Sequence, residues 1–393
     1  NNMANKIKAI DLFSGCGGVS CGLTNMKFAV KAAVEIDESA TETYRNYPPL
    51  GRVNLLQQDI CELNGAEILR AAGIEQDELY LLAGCPPCQN FSMKNRENRG
   101  KTESERKKLL FEYLRIIEEI HPPFVLMENV PGIKANLNKN ILDEFIGRLN
   151  NEGGQDNERY MVISQVLNAA DYGVPQLRKR FVLHAVRYDI YLEMQEYGIE
   201  FTLPFPTHDK DQRNNLLPWV TVREAIGDLP AIAAGDAYPN NGTIFNHRCA
   251  ALNDKNLRRM RHIRANGGSR TSLPDDLVLE CHKKKNKDGN AFSGHKDVYG
   301  IMDGDKPSPT MTGGCLFYTK GRYGHYDQDR AISIREAARL QTFPDDFIFS
   351  DILGKAALQI GNAVPIKLVE VSAVEIKKAI LTIKRERKKK ENA

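Results

Sequence analysis

Five short apolar runs, each closing on glycine or a polar residue, constrain this chain more than any other feature. IKAIDLF (Ile7–Phe13) runs into SGCGG, and FAVKAAVEID (Phe28–Asp37) ends in acids. LYLLAG (Leu79–Gly84), FVLMEN (Phe124–Asn129) and RFVLHAV (Arg180–Val186) follow. Between them the spacing changes: Leu109, Leu110, Tyr113, Ile116, Ile117 and Ile120 recur at i, i+3, i+4, i+7. Ile141, Leu142, Phe145, Ile146 and Leu149 repeat that pattern. Such a period predicts amphipathic helices, and the short continuous runs predict buried strands. Strands alternating with helices predict an α/β fold with a mainly parallel sheet.

The middle of the chain is different. From about residue 204 to 310 it is rich in Asn, Gly, Pro and basic residues, with weak periodicity. KNLRRMRHIRANGGSR (Lys255–Arg270) and HKKKNK (His282–Lys287) gather positive charge, either as solvated surface or as a phosphate-contacting face. A net charge of +3 over 393 residues is too small to decide, so the argument rests on distribution. Beyond it, SIREAARLQTF reads as a helix and GNAVPIKLVEVSAVEIKKAI as a second that returns to the first domain. The expected division is therefore 1–200 plus 350–393 for a discontinuous first domain, and 201–349 for a smaller, irregular second one.

Eight scattered cysteines form no disulfide scaffold and point to a reducing cytosol. No apolar stretch reaches the length of a signal peptide or a membrane span, so a cytoplasmic protein with no membrane partner is expected.

Ligands in open α/β sheets bind beyond the carboxyl ends of the strands. SGCGG, Glu35 with Asp37, Pro87–Cys88 and Glu128 all stand at predicted strand exits, which points to one crevice. DLFSGCGG is a glycine-rich first turn without the GxGxxG spacing, so alone it reads first as a plain tight turn and only second as a nucleotide loop. Glu35, at a strand end, suits the two hydroxyls of a ribose, and Asp59 an adenine amine. No GxxxxGK[ST] motif suggests phosphate chemistry. CPPC (Cys85–Cys88) has three readings: half a zinc site, a redox pair, or Cys88 alone as a nucleophile. Zinc needs four ligands and no second pair exists, so no metal is expected. A reactive thiol needs a partner group, and Glu128–Asn129, Gln176, Arg178 and Arg180 are candidates.

Taken together these stretches resemble the cytosine-5 DNA methyltransferase family, of the bacterial restriction-modification type. DLFSGCGG, VEID, PPCQNFS, ENVPG, QLRKR, REAARLQTFPDDF and GNAVP occur in the family's order, and KPSPTMT (Lys306–Thr312) also has a counterpart. The resemblance covers most of residues 7–187 and 296–370. Two departures stand out: Cys85, where glycine is more usual before PPC, and Tyr326 after His325, where proline is common.

The resemblance implies a Rossmann-like S-adenosylmethionine-dependent methyltransferase sheet with a target-recognition domain, acting on a specific cytosine-containing duplex DNA site. A restriction endonuclease of the same system is implied as a functional partner without direct contact. The target base would be flipped out of the helix, and Cys88 would add to its C6. Glu128 would contact N3 and the exocyclic amine, Arg180 would hold O2, and Arg178 would support them. A carboxyl donating a proton there is expected to have a raised pKa. The cofactor would lie among Phe13, Gly15, Cys16, Gly17, Gly18, Glu35, Ile36, Asp59, Ile60, Pro87, Asn362 and Ala363. MKNRENRGKTESERKK (Met93–Lys108) reads as a loop closing over DNA. The alternatives are a tRNA-directed member of the family, a catalytically silent DNA-binding protein, and a thiol oxidoreductase that would need Cys85 as well.

Overall fold

The computed structural model describes residues 7–87, 103–135, 138–283 and 297–392. The chain divides into two compact units. The first spans Asn1–Tyr172, Lys179–Thr207 and Val364–Ala393, the second Gly173–Arg178 and His208–Ala363.

The first unit is built on a seven-stranded sheet. Its strands are β1 (Lys8–Leu12), β2 (Ala29–Glu35), β3 (Asn54–Gln57), β4 (Leu79–Gly84), β5 (Phe124–Asn129), β6 (Tyr160–Asn168) and β7 (Lys179–Arg187). Their order is β3-β2-β1-β4-β5-β7-β6, with β1 to β5 parallel and β7 antiparallel to both neighbours. The chain leaves β1 toward β2 and later returns on its other side as β4. That reversal opens a crevice at the carboxyl ends of β1 and β4.

Both faces of the sheet are covered, which is why the central strands read as continuous apolar runs. On one face Ile10, Leu12, Val34 and Leu82 pack against Tyr113, Ile117 and Phe145. The last two belong to the helices Glu103–Ile120 and Lys139–Asn150 that the spacing predicts. On the other face Ala9, Val30, Leu81 and Phe124 meet Leu368, Ile376 and Ile380 of the helix Ile366–Glu391. The stretch Leu353–Glu391, which contains it, has a window long and apolar enough to resemble a membrane span, and 61% of that window is buried inside the protein. Within Ile366–Glu391, Ile366, Leu368, Val369, Ile376, Ile380 and Ile383 are buried, and Leu381 is exposed.

The second unit is largely irregular, as its composition predicts. Its helices include Val222–Ile226, Asp254–Ala265, Ile334–Leu340 and Leu353–Asn362. The divisions fall elsewhere than at 200 and 350. Residues 201–207 stay with the first unit because Tyr172 Oη donates to Pro204 O at 2.9 Å and Thr207 N to Asp171 O at 2.9 Å. Leu353–Asn362 stays with the second because it packs on Ile334–Leu340.

Candidate active site

The glycine-rich turn after β1 is held by a single carboxylate. Glu35, the last residue of β2, accepts from Gly15 N at 2.8 Å through Oε2. Its Oε1 accepts from Ile36 N at 2.9 Å and Asp37 N at 2.8 Å. Gly17 sits at φ 104°, a region that glycine enters without the steric cost of a Cβ. It opens the helix Gly18–Asn25, which has no side-chain cap and no acid in its first turn. The Ser20 amide faces the buried Asp11 carboxyl, and those of Gly18 and Val19 at the start of the helix suit an anionic group.

Phe13 is held at φ 57°, an uncommon conformation for a residue with a side chain, and its ring meets Tyr113 edge-on at 6.4 Å. Beside Glu35, Ile36 is 63% exposed. Asp59 lies just past β3, whose Gln57 is in register with Glu35. One Asp59 oxygen accepts from Cys61 N at 2.9 Å, and that bond holds the carboxyl below its usual range. Ile60 follows it, buried.

Beneath the turn lies a polar chain that the sequence reading did not single out. Tyr44 Oη donates to Ser20 Oγ at 2.8 Å, and Ser20 donates to Asp11 Oδ2 at 2.6 Å. Asp11 is fully buried, and burial pushes its carboxyl up to about 7. Its Oδ1 has no hydrogen-bond partner among the described residues. The unfolded carboxyl titrates near pH 4, so the native state binds the extra proton between about pH 4 and 7. Asp11 therefore stabilises the fold most below about pH 4, and that contribution falls as pH rises through 7. Urea unfolding of wild type and Asp11→Asn at about pH 5 and pH 8 is expected to show the variant gaining on the wild type at the higher pH. An unchanged difference would contradict a protonated Asp11.

At the exit of β5, Glu128 Oε1 lies 2.6 Å from Arg180 Nε of β7, both side chains 11% exposed. The pairing of β5 with β7 sets this contact, since Glu128 lies opposite Val182 and Asn129 opposite Phe181. A guanidinium this close stabilises the ionised carboxylate. Asn129 Nδ2 donates to Pro86 O at 3.4 Å, tying the loop after β4 to the end of β5. Pro86 is buried and Pro87 exposed. Cys85 lines a small apolar void with Val19, Leu126, Val182 and Val364. Cys88 and most of residues 93–108 lie outside the described residues.

The QLRKR stretch parts into two roles. Arg180 belongs to the first unit, Gln176 and Arg178 to the second. Arg178 is completely buried. Its guanidinium donates to Met311 O at 2.6 Å, Gly361 O at 2.8 Å, Ala363 O at 2.9 Å and Gln176 Oε1 at 3.4 Å. Gln176 in turn accepts from Met311 N at 2.8 Å and donates to Gln341 Oε1 at 2.7 Å. Arg178, read from the sequence as supporting catalysis, thus spends its donors on holding KPSPTMT and GNAVP together. Asn362, exposed, and Ala363, half-buried, lie in the second unit at the end of this clamp.

The first unit thus brings Phe13, Gly15, Cys16, Gly17, Gly18, Glu35, Ile36, Asp59, Ile60, Pro87, Glu128 and Arg180 to the carboxyl edge of one sheet. Sequence reasoning took Tyr113 only as helix core. Its Oη donates to Leu126 O at 3.0 Å and Leu82 O at 3.2 Å, so it also braces the two strands that carry the site.

The profile of the C-5 cytosine-specific DNA methylases matches residues 7–378. The chain belongs to this family. Among its relatives is the Type II methylase M.HgiDII of Herpetosiphon aurantiacus, 36% identical, with 94% of each chain covered. The Type II methyltransferase M1.HphI of Haemophilus parahaemolyticus is 34% identical over 94% of this chain and 86% of its own. The crystal structure of a prophage-encoded DNA modification methyltransferase from E. coli superposes with a TM-score of 0.64. It is 26% identical, and the match covers 96% of this methylase and all of that chain.

Proposed function

We propose that the methylase transfers a methyl group from S-adenosylmethionine to C5 of a cytosine in a specific duplex DNA sequence, with Cys88 as nucleophile. The Glu128–Arg180 pair carries this reading. A carboxylate and a guanidinium, both nearly buried, stand at a strand end joined to the PPC loop by Asn129. One can receive N3 and the exocyclic amine of a flipped base, the other its O2.

The residues after β1 and β2 fit the cofactor. Glu35 presents a carboxylate already oriented by three backbone amides, suited to ribose hydroxyls. Exposed Ile36 offers an apolar surface for a flat ring, and Asp59 an acceptor for its amine. The uncapped helix after Gly17 suits a carboxylate. When bound, S-adenosylmethionine supplies an electrophilic methyl group on a sulfonium.

The protein's own residues supply the rest. C5 of cytosine is a poor nucleophile. Addition of the Cys88 thiolate to C6 makes C5 an enamine carbon, while Glu128 stabilises charge developing at N3. Arrival of the base would exchange the Glu128–Arg180 contact for contacts of the two side chains to the ring. Arg180, released, then holds O2. After methylation, loss of the C5 proton returns the electron pair that expels the thiolate from C6. Flipping the base costs a few kcal/mol, recovered in these contacts.

Relatives named as Type II methylases favour DNA over tRNA as the substrate, and a restriction endonuclease acting on the same sequence is the implied functional partner. The test is incubation with labelled S-adenosylmethionine and either duplex DNA or tRNA. Label is expected in DNA cytosine at one sequence, which bisulfite sequencing of expressing cells would read out. Label in tRNA alone, or in neither, would overturn the proposal.

A further inference from the structure

A second polar cleft, of about 650 Å³, lies within the second unit. Three arginines line it, and two are committed to the protein. Arg264 donates to Tyr326 O at 2.7 Å and Gln328 O at 2.6 Å. Arg322 donates to Gly268 O at 3.0 Å and pairs with Asp297. Arg223 differs. Only its Nε is bonded, to Asp305 Oδ1 at 3.0 Å, and its two terminal nitrogens have no acceptor among the described residues. Its side chain is 55% exposed.

The guanidinium is nevertheless held in place. It lies over the Tyr326 ring, 4.7 Å from the centroid. Tyr326 stacks in turn on His325, at 4.5 Å and 25°. The His325 Nδ1 accepts from Asp327 N and Gln328 N, both at 3.0 Å, so its proton resides on Nε2, 3.4 Å from buried Glu336. Arg330 fixes Glu336 through both oxygens at 2.7 and 2.8 Å. A buried ion pair thus orients a histidine, the histidine a tyrosine, and the tyrosine an arginine. The stack also needs Gly304, where a Cβ would come 2.8 Å from the Tyr326 ring and 2.9 Å from an Arg223 terminal nitrogen.

We propose that Arg223 reads a guanine of the recognition sequence, its two terminal nitrogens donating to O6 and N7 in the major groove. The inference rests on the duplex DNA substrate argued above. A planar fork fixed on one face and one edge is what bidentate base recognition requires. Phosphate is the other acceptor an arginine takes; Lys306 lines the same cleft but is paired with Asp303, and Asp305 beside it holds the Nε edge of Arg223, so salt dependence separates the two acceptors. Tyr326, which stands where the family commonly has proline, supplies the platform.

The experiment uses duplexes carrying the methylated site, with 7-deazaguanine, which lacks the N7 acceptor, replacing each guanine in turn. At one position the wild-type kcat/KM is expected to fall roughly 10- to 100-fold. Arg223→Ala and Arg223→Lys are expected to show a similar fall on unmodified DNA and no further loss with the analogue at that position. Tyr326→Ala, which removes the platform, is expected to weaken discrimination at the same position. Arg223 is exposed and outside the helix-packed core, and thermal melting checks that each variant is folded. A uniform loss on all sequences, with a salt slope reduced by about one, would make Arg223 a phosphate contact and overturn the assignment. Full retention of the analogue penalty in Arg223→Ala would overturn it equally. A wild type that methylates no DNA would instead fail the functional reading.

Discussion

Replacing Cys88 with alanine is expected to lower methyl transfer to DNA by roughly 10⁴-fold or more, as loss of a covalent nucleophile does. Cys85→Ala is expected to keep most of the activity. The two sulfurs are three residues apart in CPPC, yet the surroundings of Cys85 are those of a packing residue. It lines an apolar void with Val19, Leu126 and Val364, directly after the last residue of β4. Buried Pro86, bonded through its carbonyl to Asn129, and then exposed Pro87 carry the chain away from that void. A redox pair would lose function equally with either substitution, so equal loss would refute the single-nucleophile mechanism. A second measurement tests the same step directly. DNA with 5-fluorocytosine at the target is expected to trap an SDS-stable adduct on Cys88, because the fluorine cannot leave as a proton does and elimination of the thiolate stalls. Absence of an adduct on a sequence that is otherwise methylated would argue against addition to C6.

How much of this was legible beforehand follows from what periodicity can carry. The runs ending at Phe13, Asp37, Gly84 and Asn129 became β1, β2, β4 and β5, because strands buried on both faces are largely apolar. β3 escaped notice because NLLQ is four residues long on the sheet edge, with no residue fully buried. β6 escaped because an edge strand with one half-solvated face mixes polar and apolar residues, as YMVISQVLN does. Glu128 and Arg180 were both named from sequence. That they face each other at 2.6 Å depends on β7 inserting antiparallel between β5 and β6, which no local pattern encodes. The same limit hid the Asp11–Ser20–Tyr44 chain, which spans two strand–helix units, and the seating of Arg223 on Tyr326, about a hundred residues away. Composition and weak periodicity read the middle region as irregular, yet its basic stretch Lys255–Arg270 is largely the helix Asp254–Ala265. Charge counting did not distinguish Arg264 and Arg322, consumed by backbone carbonyls, from Arg223, whose terminal nitrogens remain as donors.

Arg178→Ala is expected to destabilise the second unit by about 3–5 kcal/mol, the range found when one partner of a buried charged network is removed. Two causes add. Truncation leaves the carbonyls of Met311, Gly361 and Ala363 buried with fewer donors, and it empties the space of one of the largest fully buried side chains. Lysine is not a conservative replacement here, because one ammonium cannot reproduce the fork that reaches three separate carbonyls. Arg178→Lys is therefore expected to recover only part of the loss. A positioning role and a catalytic one are separable by readout. If Arg178 acts by holding the Met311 and Gly361–Ala363 segments, its variants lower the thermal midpoint, and activity falls with the folded fraction. If it touched the reacting base, kcat would fall at a temperature where the variant is fully folded and the midpoint would hardly move. Calorimetry paired with single-turnover methylation, on Arg178→Lys and Arg180→Lys side by side, gives the contrast. Arg180→Lys is expected to lose rate with a small change in midpoint, since its partner Glu128 stands at a strand exit and not inside a carbonyl cage. The opposite pattern would exchange the roles assigned to the two arginines of QLRKR.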